Sequence, residues 1–190
     1  MTLKKKTVDK IQLMENYPWG IVDTSVIYGL QPTIAKFIDG TSSAYGVDVI
    51  TEGLIQPASD VIEISVSKDI VDISANAFRN FSNLSSVTMN EGLTCIGNYA
   101  FANCSSLTSI DVPDGVVSAG TYVFASCFNL VSAQLPDTLV NAGIRMFYQD
   151  TALHHIRMPN HMSSLGAGTC MSCIGIISCE IPIGLTSIGT

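Results

Sequence analysis

Charged residues are scarce in this chain, 13% of 190 positions, and segments that stay unfolded need the opposite balance of high charge and low hydrophobicity. A mostly ordered chain is therefore expected. Long apolar runs are missing as well. The composition is 47% hydrophobic with a mean hydropathy of +0.37, yet no stretch approaches the roughly 18 uninterrupted apolar residues of a membrane helix. The apolar content must be spread periodically. Basic residues are nearly absent after the first ten positions: Lys4, Lys5, Lys6 and Lys10 stand there beside Asp9, and the remainder holds five basic and fifteen acidic groups. A body so acidic repels phosphate backbones, which excludes nucleic acid as an expected partner. The residues after the lysines contain no apolar run of the kind a secretory signal needs. The expected location is a virion or the cytoplasm rather than the cell surface. With no export signal, the six cysteines are expected as thiols rather than a disulfide framework. Also missing are G-x-S-x-G, H-E-x-x-H and a phosphate-binding loop. No catalytic residue, metal or cofactor is expected.

What the chain does have is a repeat. LTCIGNYAFANCSSLTSIDVPDG (93–115) is followed directly by VVSAGTYVFASCFNLVSAQLPDT (116–138), and units of the same 23-residue length run from 70 to 184 without a gap. LTSIGT (185–190) opens a further unit. Position 1 holds Ile70, Leu93, Val116, Leu139, Met162 and Leu185; position 9 holds Phe78, Phe101, Phe124, Phe147 and then Cys170; position 15 holds Leu84, Leu107, Leu130, Leu153 and Ile176. Apolar residues at positions 18 and 20, such as Ile110 and Val112, alternate with polar ones, the mark of a strand with one buried face. Pro113, Pro136, Pro159 and Pro182 follow at position 21 and end that strand, since proline has no amide hydrogen to extend a ladder. One unit cannot bury its own apolar set. Stacked units turn each column into an internal ladder. The glycines at position 5 (97, 120, 143 and 166) read as a turn that needs permissive backbone angles.

The pattern Leu-x-x-Ile-Gly-x-x-Ala-Phe-x-x-Cys-x-x-Leu-x-x-Ile-x-Val-Pro at 93–113 closely resembles the BspA-type leucine-rich repeats, and the resemblance extends over residues 70–190. It departs from the pattern at Asp150, which replaces the position-12 cysteine, and at Cys170, which replaces the position-9 phenylalanine. The resemblance implies a right-handed parallel solenoid, β-rich with a minor helical component, having one main strand and one short helical or irregular turn per unit. It also implies a binding or adhesion module rather than a catalyst.

Outside the repeat, residues 1–46 read as an N-terminal arm with a short helix at TIAKFI (33–38) and a flexible stretch at GTSSAYG (40–46). Residues 47–69 read as a linker and a capping half-repeat, because Val61, Ile64 and Val66 fall at positions 15, 18 and 20. Tyr17, the sole tryptophan Trp19, and Lys4, Lys5 and Lys6 are the candidate anchor to other subunits of an assembly. Candidate ligand-binding residues lie on the outward strand positions: Asp111 and Gln134 on a small polar ladder, with His154, His155 and Arg157 as a bulky basic patch suited to an acidic or carbohydrate ligand. Cys170-Met171-Ser172-Cys173 is a CxxC, but it lies in columns that elsewhere hold core residues, and core packing is the expected role. Cys104 and Cys127 share a column in adjacent units, where either a disulfide or a ladder of buried thiols fits. The last full unit has no successor in its main strand, so its edge is expected either to meet another chain, a subunit of the assembly or a second copy, or to be continued by the natural chain; a fold-back of residues 183–190 as a cap is the alternative. Together these features point to a non-catalytic attachment component of a large assembly, such as a bacteriophage virion fibre, tail or decoration protein. A surface adhesin or an intracellular interaction module are the alternatives, and a host surface protein or a glycan is the expected ligand.

Overall fold

The computed structural model describes residues 33–45 and 49–189. They form a β-solenoid of about five turns with no α-helix. Each coil contributes two strands, both fixed by the repeat. The main strands lie at positions 17–19: β6 (Ser86–Thr88), β8 (Ser109–Asp111), β10 (Ser132–Gln134), β12 (His155–Arg157) and β14 (Ser178–Glu180). A second set of two-residue strands lies at positions 3–4: β5 (Asp72–Ile73), β7 (Cys95–Ile96), β9 (Ser118–Ala119), β11 (Asn141–Ala142), β13 (Ser164–Leu165) and β15 (Ser187–Ile188). All these pairings are parallel and in repeat register, for example Ser132 opposite Ser109 and Cys95 opposite Ser118. The second strand was not expected. Two residues are too few to show alternation, and only the column of Ile73, Ile96 and Ala119, all buried, marks it. The short helical or irregular turn that the family resemblance implied is a series of hydrogen-bonded turns.

Between the two rows of strands run the apolar columns. Phe78, Phe101, Phe124 and Phe147 are each fully buried and stack in register, with ring centroids 5.0, 5.6 and 5.5 Å apart. Leu84, Leu107, Leu130 and Leu153 are equally buried. At roughly 1.5–3 kcal/mol per buried large side chain, these columns are the main stabilising term.

The position-5 glycines serve a different purpose from the one their recurrence suggested. None has a left-handed backbone. A Cβ on Gly143 would lie 2.3 Å from the Gly120 carbonyl carbon and oxygen, and one on Gly97 would lie 2.4 Å from the Ala75 nitrogen. They are needed because successive coils touch backbone to backbone. The left-handed positions are 7 and 11, occupied by Asn76, Tyr99, Tyr122 and Arg145, and by Asn80, Asn103, Ser126, Gln149 and Ser172.

The N-terminal reading is corrected in two places. Residues 33–38 are not helical: β1 (Thr33–Phe37) and β2 (Ser42–Tyr45) form an antiparallel hairpin, so the stretch expected to be flexible is largely strand. Thr33 and Ala35 face inward while Ile34 and Lys36 face outward, a period of two that five residues carry only faintly. Residues 47–69 also hold more than half a repeat. β3 (Val49–Ile50) and β4 (Val61–Ser65) both pair with the next coil at the 23-residue offset, Ile50 with Ile73 and Ile64 with Val87. Ile55 fills the phenylalanine column and Gly53 takes the left-handed position 7. β1 then covers the outer edge of β4 in antiparallel register, reinforced by a Lys36–Glu63 ion pair of 2.7 Å.

Candidate functional site

On every main strand from β8 to β12 the middle residue is buried and its two neighbours are exposed. The ladder therefore presents a ribbon of outward side chains: Ser109 and Asp111, Ser132 and Gln134, His155 and Arg157, Ser178 and Glu180. Asp111, Gln134, His154, His155 and Arg157 all lie exposed on this surface, as expected. Its electrostatics differ from the expectation. Arg157 is not a free cation: its guanidinium donates to the Asp137 carboxylate at 2.8 Å, and Asn160 donates to the same carboxylate from its backbone and side-chain nitrogens at 2.9 Å each. The Asn160 backbone amide holds the Asp137 carboxyl below its ordinary range, with smaller contributions from the Asn160 side chain, Arg157 and His161. The basic patch is thus a neutralised hydrogen-bonding network. His155 Nδ1 lies 2.6 Å from Ser178 Oγ on the next strand, and the His154 ring stands edge-on to it at 6.5 Å. What the ribbon offers a ligand is oriented hydroxyl, imidazole, amide, guanidinium and carboxylate edges on a rigid sheet. Tyr17, Trp19, Lys4, Lys5 and Lys6 lie outside the described residues.

Four of the six cysteines, Cys104, Cys127, Cys170 and Cys173, belong to the core or pack against it. Cys104 and Cys127 are free and buried, and their thiols donate to the carbonyls of Phe78 and Phe101 at 3.2 Å each. Burial pushes both thiols up. Cys173 donates likewise to Phe147 at 2.7 Å. A hydrogen bond to Cys173, together with burial, raises Cys170, and the same bond lowers Cys173. Cys179 is exposed. No group of three or more histidine, cysteine or acidic side chains is placed to hold a metal among the described residues.

Two features were not anticipated. Arg79, Tyr99, Tyr122, Arg145 and Tyr148 form a ladder on the position-7 side: Tyr99 and Tyr122 stack at 5.0 Å, Arg79 covers Tyr99 at 5.1 Å, and Arg145 lies 5.7 Å from both Tyr122 and Tyr148. Recurrence of tyrosine in that column was the available signal. The ring faces are already occupied by one another and by arginine, so the ladder braces the coils. The second feature is Asp150. It is fully buried, accepts the Cys127 amide at 2.8 Å through Oδ1, and leaves Oδ2 without a partner. Burial raises its pKa to about 9, so the carboxyl is held neutral.

Comparison with known proteins agrees with this architecture. Residues 61–190 match the BspA type leucine rich repeat region in six copies, which begins nine residues before the stretch where the motif is plain. No curated protein shows a significant match. Among solved structures, the T. pallidum leucine rich repeat protein is 23% identical with a TM-score of 0.59, covering 84% of this chain and 83% of its own. A leucine-rich repeat protein from Bacteroides ovatus is 24% identical with a TM-score of 0.57, covering 77% of this chain and 44% of its own. The pneumococcal vaccine antigen PcpA is 21% identical with a TM-score of 0.59, covering 80% of this chain and 35% of its own. This chain thus spans most of the first protein and less than half of the other two.

Proposed function

Because the chain belongs to the BspA type leucine-rich repeat family, whose solenoid is typically a binding scaffold, we propose that it is a non-catalytic attachment module. Its ribbon of main-strand side chains engages another protein or a glycan. The observation that carries this reading is the ribbon itself: paired outward residues on β8, β10, β12 and β14, held in parallel register by Ser132 opposite Ser109 and by His155 opposite Ser178. A rigid backbone array of this kind presents ordered polar groups with little entropy to lose on binding. The module belongs to a large assembly such as a bacteriophage virion, with the N-terminal arm, residues 1–46, as the anchor; the contacts to other subunits come from the part before β1, since β1 is paired with β4 and β2 with β1. The fold shared with a pneumococcal vaccine antigen supports a second reading, a bacterial surface module using the same ribbon.

The test is binding of the labelled full chain to glycan and protein arrays, compared with a His155→Ala/Arg157→Ala variant. Ligands should be recognised by the native chain and lost, by about tenfold or more, in a variant that melts at the same temperature. Recognition that survives both substitutions, or a native chain that recognises nothing on either array, would refute the reading.

A further inference from the structure

The main sheet is interrupted once. β6 and β8 lie in successive coils but belong to different sheets, and no strand pairing joins them. At the other main-strand junctions, Ser85, Val131, His154 and Ile177 donate to Ile62, Thr108, Val131 and His154 of the preceding coil at 2.8–3.1 Å. The same two coils stay paired on the opposite side, where Ile73 meets Ile96. They are therefore splayed apart along one side only. The splay leaves a cleft of 780 Å³, whose lining includes Val87, Met89 and Val112 with the carboxylates of Glu91, Asp111 and Asp114 and no lysine or arginine. Val87 is half-buried there, whereas Ile64, Ile110, Ala133 and Ile156 of the same column are buried.

We propose that this cleft receives an extended peptide segment of a partner protein that carries lysine or arginine side chains. The inference rests on the reading of the chain as a binding module and names a place and a ligand class for it. β6 and β8 lie too close for a strand to enter between them, so the peptide lies along the mouth of the cleft, beside the backbone groups that the two strands do not offer each other. Val87 and Met89, both half-buried, accommodate aliphatic stems, as apolar surface does for long basic side chains. Glu91, Asp111 and Asp114 then meet the charged ends, and the acidic body of the protein, −7 overall, draws such a segment in.

The test uses the full chain and a fluorescent peptide of alternating lysine and threonine, with a glutamate–threonine peptide as its counterpart. The lysine peptide should bind, less tightly as salt rises, and the glutamate peptide should not. Glu91→Gln/Asp114→Asn should weaken binding by about tenfold or more without lowering the melting temperature. Amide exchange at 87–89 and 109–112 should slow in the complex. Equal binding of both peptides, no binding of either, or unchanged exchange in both strands overturns the proposal. Loss of binding in His155→Ala/Arg157→Ala but not in Glu91→Gln/Asp114→Asn also overturns it, while leaving the ribbon reading intact. If replacing Lys4, Lys5 and Lys6 together by glutamine raises affinity about tenfold, the native occupant is the chain's own basic segment, and the assignment to a partner fails.

Discussion

Asp150 sits where neighbouring coils place a thiol, and the exchange changes the energetics of one rung. A cysteine there donates to a phenylalanine carbonyl, as Cys127 and Cys173 do; a carboxylate has no hydrogen to donate. Between Cys127 and Cys173, with one oxygen unpartnered, the carboxyl is stable only when protonated. In the unfolded chain it ionises near 3.8, while in the fold it holds its proton to about 9. Above the lower value the folded state therefore binds more protons than the unfolded one. Its contribution is complete in acid and is lost as pH rises through that window. Denaturant unfolding should show stability falling with pH, with a slope of up to about 1.4 kcal/mol per pH unit from this group. Asp150→Asn should flatten the slope. A native profile that rises between pH 5 and 8, or one that Asn leaves unchanged, would show that Asp150 is ionised in the fold.

At the scale of the element, each coil depends on close contact with the one before it. Gly143→Ala puts a methyl carbon 2.3 Å from the Gly120 backbone, and the coils must separate to admit it. The expected loss is about 1–3 kcal/mol or more. Ser172→Gly, at an exposed left-handed position, should be neutral or slightly stabilising. Thermal melts of the two variants measure the contrast, and a harmless Gly143→Ala would show that the contact is not tight. The difference between these positions also shows what was legible in the sequence. Columns of Phe78–Phe147 and Leu84–Leu153 could be read directly, because a 23-residue period repeats the same burial problem in each coil. The glycine column was visible, but its cause was not: a turn and a backbone contact leave the same letter. β1 was hidden because TIAKF is short enough to fit a helical or a strand period, and only its pairing with β4 decides. On the ribbon, the exposure of His155 and Arg157 followed from alternation. The pairing of Arg157 with Asp137 did not, because it joins residues twenty positions apart in adjacent coils. The cleft beside β6 depends on how two coils tilt, which no column of side chains records.

Across the whole molecule the two ends of the solenoid are finished differently. At one end the edge of β4 is paired with β1, and Thr33 and Ala35 are buried against it. At the other, Ile177 is 73% exposed, Ile181 54%, Ile183 107% and Ile188 62%. Residues 183–189 therefore do not fold back to cap the last complete coil. They pair as β15 with β13 in a separate two-stranded sheet, and leave β14 with a free edge among the described residues. Apolar surface beside an open parallel edge favours association with another chain. Whether that chain is a second copy, another subunit or a continuation of the same polypeptide, the 190-residue form should bind a hydrophobic-surface dye and sediment as a concentration-dependent mixture. Ile177→Lys with Ile183→Lys should suppress both behaviours, because two desolvated charges oppose burial of the edge. The melting temperature should barely change, since both side chains are exposed already. If the unsubstituted chain binds no dye and sediments as a single monomeric species at all concentrations, the edge is covered in solution and association through it is ruled out.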